Sequence, residues 1–308
     1  MKKLLGLLFA LIISTSCFAL PFNNIVFFGD SSTDNGNIYR IFRFIPETPP
    51  YYKGRFSNGP TWAEHVSEHY AQKYYVTSQN FAWGGATAYI HNPLSMEIIP
   101  PITLEGEYFN FYFSSMFKDR SKGLYVFWIG ANDYLYEKQT NLEDIASKAT
   151  KNIAWTINKL IALGAQNFLI INSDELWKTP YSIKNKDLVR LKKLVALHNA
   201  KLVDAIKEIQ AQHPNIKFTS FDLNHMFNDL MDHPDKYNQI YGTHIRNVTS
   251  ACLQVDHAYF DTSRKPIKTS TPCSNPAEYM FWDPEHMSDA FHTILGKMVI
   301  EKLDKVYS

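Results

Sequence analysis

Apolar runs that stop abruptly in small and polar residues alternate along this chain with stretches whose apolar positions recur every three to four residues. Asn24-Ile25-Val26-Phe27-Phe28-Gly29 reads as a buried strand, since Val26 to Phe28 are β-branched or aromatic and Gly29 can turn without a Cβ penalty. Thr61 can cap a helix carrying Trp62, Val66 and Tyr70 on one face, and a short β-rich run over 74–76 follows it. A second strong strand, 124–129, ends in Gly130-Ala131-Asn132-Asp133. Ile145, Ala149, Ile153, Ile157 and Leu160 share one face of a helix over 142–163 that Gly164 closes, and 167–171 returns as a strand. A long amphipathic helix over 188–209 and a strand over 216–221 complete the series. Strands alternating with helices predict an α/β fold, a three-layer α/β/α sandwich with a mainly parallel five-stranded sheet.

The first residues do not belong to that pattern. Lys2 and Lys3, an apolar run over 4–13 and small residues up to Ala19 read as a secretory signal peptide cleaved after Ala19, and the run is too short to span a bilayer. Cys17 offers a rival reading as an acylated lipoprotein cysteine, against which Ser14 stands where such a motif wants leucine. Residues 20–308 then form one domain, because no linker, repeat or low-complexity segment divides a stretch with enough apolar residues for a full core. Export makes the protein secreted, either periplasmic or extracellular.

Charge and cysteine content narrow the picture. Without residues 1–19 the chain holds 29 basic and 30 acidic residues, so no basic field exists to attract nucleic acid. Two cysteines remain, Cys252 and Cys273, and an oxidising compartment predicts a disulfide between them.

Three polar clusters fall at the carboxyl ends of strands, where open α/β sheets bind ligands: Gly29-Asp30-Ser31, the run from Asn80 through Gly85 to Thr87, and Gly130-Ala131-Asn132-Asp133. A fourth, Asp283-Pro284-Glu285-His286, precedes the last helix. Taken alone, Gly-Asp-Ser is an ordinary strand-to-loop turn with a capping serine. A nucleophilic serine, however, needs a base, and a histidine base needs a carboxylate on its other ring nitrogen; Asp283 and His286, three apart in a turn stiffened by Pro284, supply both. Gly85 can offer a backbone N–H and Asn132 a side-chain N–H to an oxyanion.

The order Gly29-Asp30-Ser31, Gly85, Asn132, Asp283-x-x-His286 resembles the four blocks of the GDSL or SGNH hydrolase family, and Gly54-Arg55-Phe56-Ser57-Asn58-Gly59-Pro60-Thr61-Trp62 resembles its bacterial and plant lipase branch. Ser32 stands where the family name has leucine. The resemblance implies Ser31 as nucleophile, His286 as base, Asp283 as its orienter, and Ser31 N–H, Gly85 N–H and Asn132 as oxyanion donors, with no cofactor and no metal. The added length before Asp283 resembles the secreted bacterial lysophospholipase A and glycerophospholipid:cholesterol acyltransferase subgroup. That implies lipid ester hydrolysis, lysophospholipids first, with acyl transfer to an alcohol as a second outcome. A short-chain or carbohydrate ester hydrolase is the alternative enzyme, and a secreted lipid- or glycan-binding protein the alternative of another class.

Other motifs carry rival readings. His65-Val66-Ser67-Glu68-His69 matches an inverted zinc-peptidase pattern, but the third ligand is missing and both histidines flank an apolar helix stripe. His198 lies on an apolar stripe and reads as a core histidine; His292 competes with His286 for the role of base. The aromatic run 108–113, with Met116 and Phe117, suits either core packing or transient contact with a membrane surface. Asn247-Val248-Thr249 reads either as a glycosylation sequon or as a polar loop. Asp34 and Asn37 read as organisers of the turn after Ser31. Arg264, Lys265 and Lys268, between the two cysteines, suit a loop that an activating protease could cut, with a plain structural staple as the simpler reading.

Overall fold

A computed structural model describes residues 20–89, 102–135, 140–255 and 271–307. The signal-peptide segment and the basic residues of the inter-cysteine loop lie outside the described residues.

Five parallel strands form the central sheet: β1 (Asn24–Gly29), β2 (Thr77–Asn80), β3 (Gly123–Trp128), β4 (Asn167–Ile171) and β5 (Lys217–Phe221), in the order β2-β1-β3-β4-β5. Among the described residues ten α-helices accompany them: α1 (Asn37–Phe42), α2 (Trp62–Tyr74), α3 (Leu104–Ser114), α4 (Ala131–Leu135), α5 (Leu142–Ala162), α6 (Pro180–Lys184), α7 (Leu188–Gln212), α8 (Leu223–Asp232), α9 (Pro234–Tyr241) and α10 (Asp289–Tyr307). All residues of β3 and β4 are buried, as expected of strands covered on both faces. One core packs Ile25, Phe27, Val126 and Leu169 against α2, α8, α9 and α10; the other packs Val26, Phe28, Phe127 and Phe168 against α3, α5 and α7. Alternate side chains of each strand thus feed opposite layers, which makes the predicted three-layer sandwich.

The chain leaves β1 to one side for β2 and returns to the other side for β3. Gly29 pairs in register with Trp128, so the turns after β1 and β3 emerge next to one another at the reversal point, where such sheets bind ligands. A small parallel pair, β6 (Asn247–Ala251) and β7 (Tyr279–Phe281), carries the chain towards Asp283. Cys252, just after β6, is joined to Cys273 as expected.

Two local readings change. The run 74–76 is no strand: α2 continues through Tyr74, Tyr75 takes a left-handed conformation that ends the helix, and the strand begins at Thr77. Tyr74 stacks on Tyr70 within the helix, so its aromatic character serves helix packing instead of a pleat. The aromatic run on α3 divides between the two roles. Tyr108 and Phe111 are buried, whereas Phe109, Phe113, Met116 and Phe117 are exposed. None of the described helices is long and apolar enough to cross a membrane.

Candidate active site

Ser31 sits at the tip of a turn that only a glycine can begin. A Cβ on Gly29 would lie 2.6 Å from the Trp128 carbonyl oxygen. Beyond it, the Asp30 carbonyl accepts hydrogen bonds from the Thr33 and Asp34 N–H groups at 3.0 and 2.9 Å. No helix starts at Ser31, since α1 begins at Asn37. The Asp34 carboxylate organises the gap instead, accepting from the N–H groups of Gly36, Asn37 and Ile38 and from that of Gly84 at 2.9 Å. The Asn37 amide donates to the carbonyls of Asn80 and Ala82 at 3.0 and 2.8 Å, tying the turn after β1 to the turn after β2.

The C-terminal block arrives from β7. Trp282 N–H donates to the His286 carbonyl at 2.8 Å, Leu253 N–H to the Trp282 carbonyl at 2.7 Å, and Tyr181 N–H to the Pro284 carbonyl at 2.9 Å. The turn is therefore pinned from three directions. Within it the Asp283 carboxylate accepts from the N–H groups of Glu285 and His286, both at 2.8 Å, and lies 2.8 and 3.0 Å from His286 Nδ1. His286 Nε2 lies 2.9 Å from Ser31 Oγ. The three residues expected to form the triad are thus in one hydrogen-bonded line, and all three are buried.

Burial alone would depress His286 and raise Asp283. Their mutual attraction and hydrogen bonds prevail, leaving His286 above the ordinary histidine value and Asp283 below the usual carboxylate range. An imidazole so held is a stronger base and, once protonated, a stabilised imidazolium.

The oxyanion candidates are placed unequally. Asn132, at the start of α4, lines a cleft together with Ser31 and His286. Its amide donates to the Ala86 carbonyl at 2.8 Å, which fixes the side chain and leaves its second N–H available. Gly85 is not among the residues lining that cleft; it occupies the neighbouring turn at φ +81°, next to Ala86. Neither Ser31 N–H nor Gly85 N–H meets an acceptor among the described residues. Asp133 secures the same turn by accepting from the Ala88 N–H at 2.7 Å.

Several residues that reasoning from sequence passed over shape the site. Tyr51 donates its hydroxyl to Asp283 Oδ2 at 2.6 Å, a buried contact 232 residues apart that no spacing could reveal. Glu107, wholly buried on α3, accepts from Gly29 N–H at 3.0 Å, and burial pushes its carboxyl well up. An acid sharing the apolar Leu104 and Phe111 face of α3 was the available signal. Asp174, in the loop after β4, also lines the cleft.

The rival histidines are engaged elsewhere. His292 Nδ1 accepts from Trp62 N–H at 3.4 Å, and burial pushes the ring down to about 3. His198 contacts the Tyr134 hydroxyl in the core and is held down to about 4 by burial. His65 and His69 belong to the contact of α2 with α10, beside Thr293 and Asp304 respectively.

Comparison with known proteins gives the family of the chain. A family model described as GDSL-like lipase/acylhydrolase matches residues 25–299. The phosphatidylcholine-sterol acyltransferase of Aeromonas hydrophila is 26% identical, covering 100% of this chain and 98% of that protein. The secreted effector protein SseJ of Salmonella typhimurium is 28% identical over 68% of this chain and 48% of its own length. The thermolabile hemolysin of Vibrio parahaemolyticus is 25% identical over 91% of this chain and 63% of its own.

Proposed function

Since the chain belongs to the GDSL-like lipase/acylhydrolase family and acts on ester bonds, we propose that its substrates are lipid carboxylic esters, lysophospholipids foremost, with Ser31, His286 and Asp283 as its catalytic residues. The observation that carries this reading is the 2.9 Å contact of Ser31 Oγ with His286 Nε2, backed by Asp283 on Nδ1. As the Ser31 Oγ–carbon bond forms, the hydroxyl proton passes to His286 Nε2, and the carbonyl oxygen becomes an oxyanion facing Ser31 N–H, Gly85 N–H and the Asn132 amide. Collapse breaks the bond to the alcohol oxygen, which takes the proton from His286, and an acyl-Ser31 remains. Water then repeats the sequence and restores the serine. An alcohol in place of water gives acyl transfer, a second outcome favoured by the full-length similarity to an acyltransferase.

In this reading residues 1–19 direct export and are removed, and residues 20–308 act as one domain in the periplasm or medium. Membrane contact and cleavage by a protease between Cys252 and Cys273 belong to the same proposal. The exposed Phe113 and Phe117 lie at the amino edge of the sheet, because α3 runs from Glu107 beside Gly29 to Tyr112 beside Arg120. A membrane-bound substrate would therefore reach Ser31 through a different surface.

The test is product analysis on lysophospholipids, diacyl phospholipids and acetylated sugars, with and without cholesterol. Fatty acid release from lysophospholipids is the expected result, and turnover of the sugars alone would overturn the substrate assignment. Ser31→Ala and His286→Ala should each abolish nearly all turnover, and their combination should be little worse, since the residues act as one unit. Near-normal rates in Ser31→Ala would end the serine-esterase reading.

A further inference from the structure

The cleft in front of Ser31 is mixed, with Trp128, Ala131, Leu135, Leu176 and Met287 forming its apolar part. Asp30, Ser32, Asn132, Asp174, Thr179 and Glu285 line it alongside Ser31 and His286. These polar groups suit the oxygens of the alcohol half of the ester, which can hydrogen-bond to them as an acyl chain cannot.

One of its carboxyls stands apart. Asp174 is 4% exposed, yet its side chain takes no hydrogen bond among the described residues other than from its own main-chain N–H. Its carbonyl accepts from Leu176 N–H at 3.0 Å and from Ser173 Oγ at 3.2 Å, while Asn199 grips Ser173 through both its N–H and its carbonyl. The backbone beneath the carboxyl is thus held rigidly, and among the described residues no other residue donates to the carboxyl. Every other buried acid around the site has such donors: Asp30 takes Ser32 N–H, Asp34 four main-chain N–H groups, Asp133 Ala88 N–H and Glu107 Gly29 N–H. A buried carboxyl whose one donor is its own main chain keeps accepting capacity that is costly to leave unused unless a ligand fills it.

We propose that Asp174 is a specificity-determining residue that accepts a hydrogen bond from a free hydroxyl on the alcohol portion of the substrate, adjacent to the ester oxygen. This rests on the esterase reading above and deepens it. In a lysophospholipid the group is the free hydroxyl on the glycerol carbon next to the acylated one, which a diacyl lipid lacks. A partly acylated sugar presents the same vicinal hydroxyl, so the recognised chemistry is a monoacylated diol. Burial and the nearby Asp30 charge raise Asp174 to about 7, so at neutral pH an ionised, hydroxyl-accepting fraction is present.

The experiment compares kcat/KM for 1-acyl-lysophosphatidylcholine with that for the same molecule bearing hydrogen in place of the free hydroxyl, in the wild-type protein and in Asp174→Ala and Asp174→Asn. Wild type should favour the hydroxyl-bearing lipid by roughly tenfold to a hundredfold, the scale of one hydrogen bond to a charged group. Asp174→Ala should reduce that ratio to near one, and Asp174→Asn should keep part of it. The ratio is insensitive to a general loss of activity, and thermal melts establish that each variant is folded. A wild-type ratio near one, or a ratio unchanged in Asp174→Ala, would overturn the proposal. If neither lysolipid is turned over, the lysophospholipid assignment fails separately, and the same ratio measured on a monoacetylated sugar diol and its deoxy analogue decides the role of Asp174.

Discussion

At the scale of single residues, four donors converge on Asp283: two main-chain N–H groups, the imidazole of His286 and the hydroxyl of Tyr51. The first three are local to the Asp283-x-x-His286 spacing, which is why that pair was legible in the sequence. Tyr51 comes from the distant segment before α2 and was not. Its bond disperses negative charge that Asp283 would otherwise direct at the imidazolium. Tyr51→Phe should therefore raise the proton affinity of His286 above its already elevated value. In the proposed mechanism the neutral imidazole is the base, so the acidic limb of the kcat/KM profile should move to higher pH, by about half to one unit if a third to a half of a roughly 1.5–3 kcal/mol charged hydrogen bond is felt at His286. A purely structural tyrosine would lower the plateau without moving the limb, and that outcome would remove Tyr51 from the relay.

At the scale of elements, the strands and long helices could be read from periodicity because each has a face that packs on the sheet. α5 and β4 fall close to where Ile145, Ala149, Ile153, Ile157, Leu160 and the run 167–171 put them. What escaped were contacts between elements. β2 was misplaced because an aromatic helix end resembles a strand start. The attachment of α7 to the turn bearing Asn132 left no trace in either element's own pattern: His198 contacts the Tyr134 hydroxyl, and Arg190 donates to the Tyr134 carbonyl at 2.8 Å. That makes Tyr134 the bolt between a long helix and the oxyanion candidate two residues earlier. Tyr134→Phe should leave the His198 ring nitrogen buried without its partner and cost about 1–3 kcal/mol in a denaturant melt. Because Asn132 would be held less firmly, kcat should fall more than KM changes. A melt equal to wild type would show that Arg190 and packing hold α7 to the turn without the hydroxyl.

At the scale of the whole molecule, the site end of the sheet gathers acids that burial keeps from ionising readily. Asp30 and Asp34 are raised to about 6 and Asp174 to about 7, Glu107 is raised further above its ordinary value, and His286 is raised by Asp283 despite its burial. The fold explains the concentration, since four polar turns converge where β1 and β3 diverge, and the sequence showed the turns without showing how deeply their acids would be buried. Each of these groups binds its proton more tightly folded than unfolded, so each adds stability that is lost as pH rises through its folded value. The groups with the opposite sign act lower down. His198 and His292, held down to about 4 and about 3, cost stability as pH falls below the ordinary histidine value, and Asp283, held below the carboxylate range, does so in stronger acid. Between pH 8 and pH 6.5 the first set titrates almost unopposed. Thermal unfolding at constant ionic strength should accordingly give a higher midpoint at pH 6 than at pH 8, with the decline into acid beginning only below that. A midpoint at pH 8 equal to or above that at pH 6 would mean that these carboxyls are ionised in the folded protein and that water or counter-ions reach them.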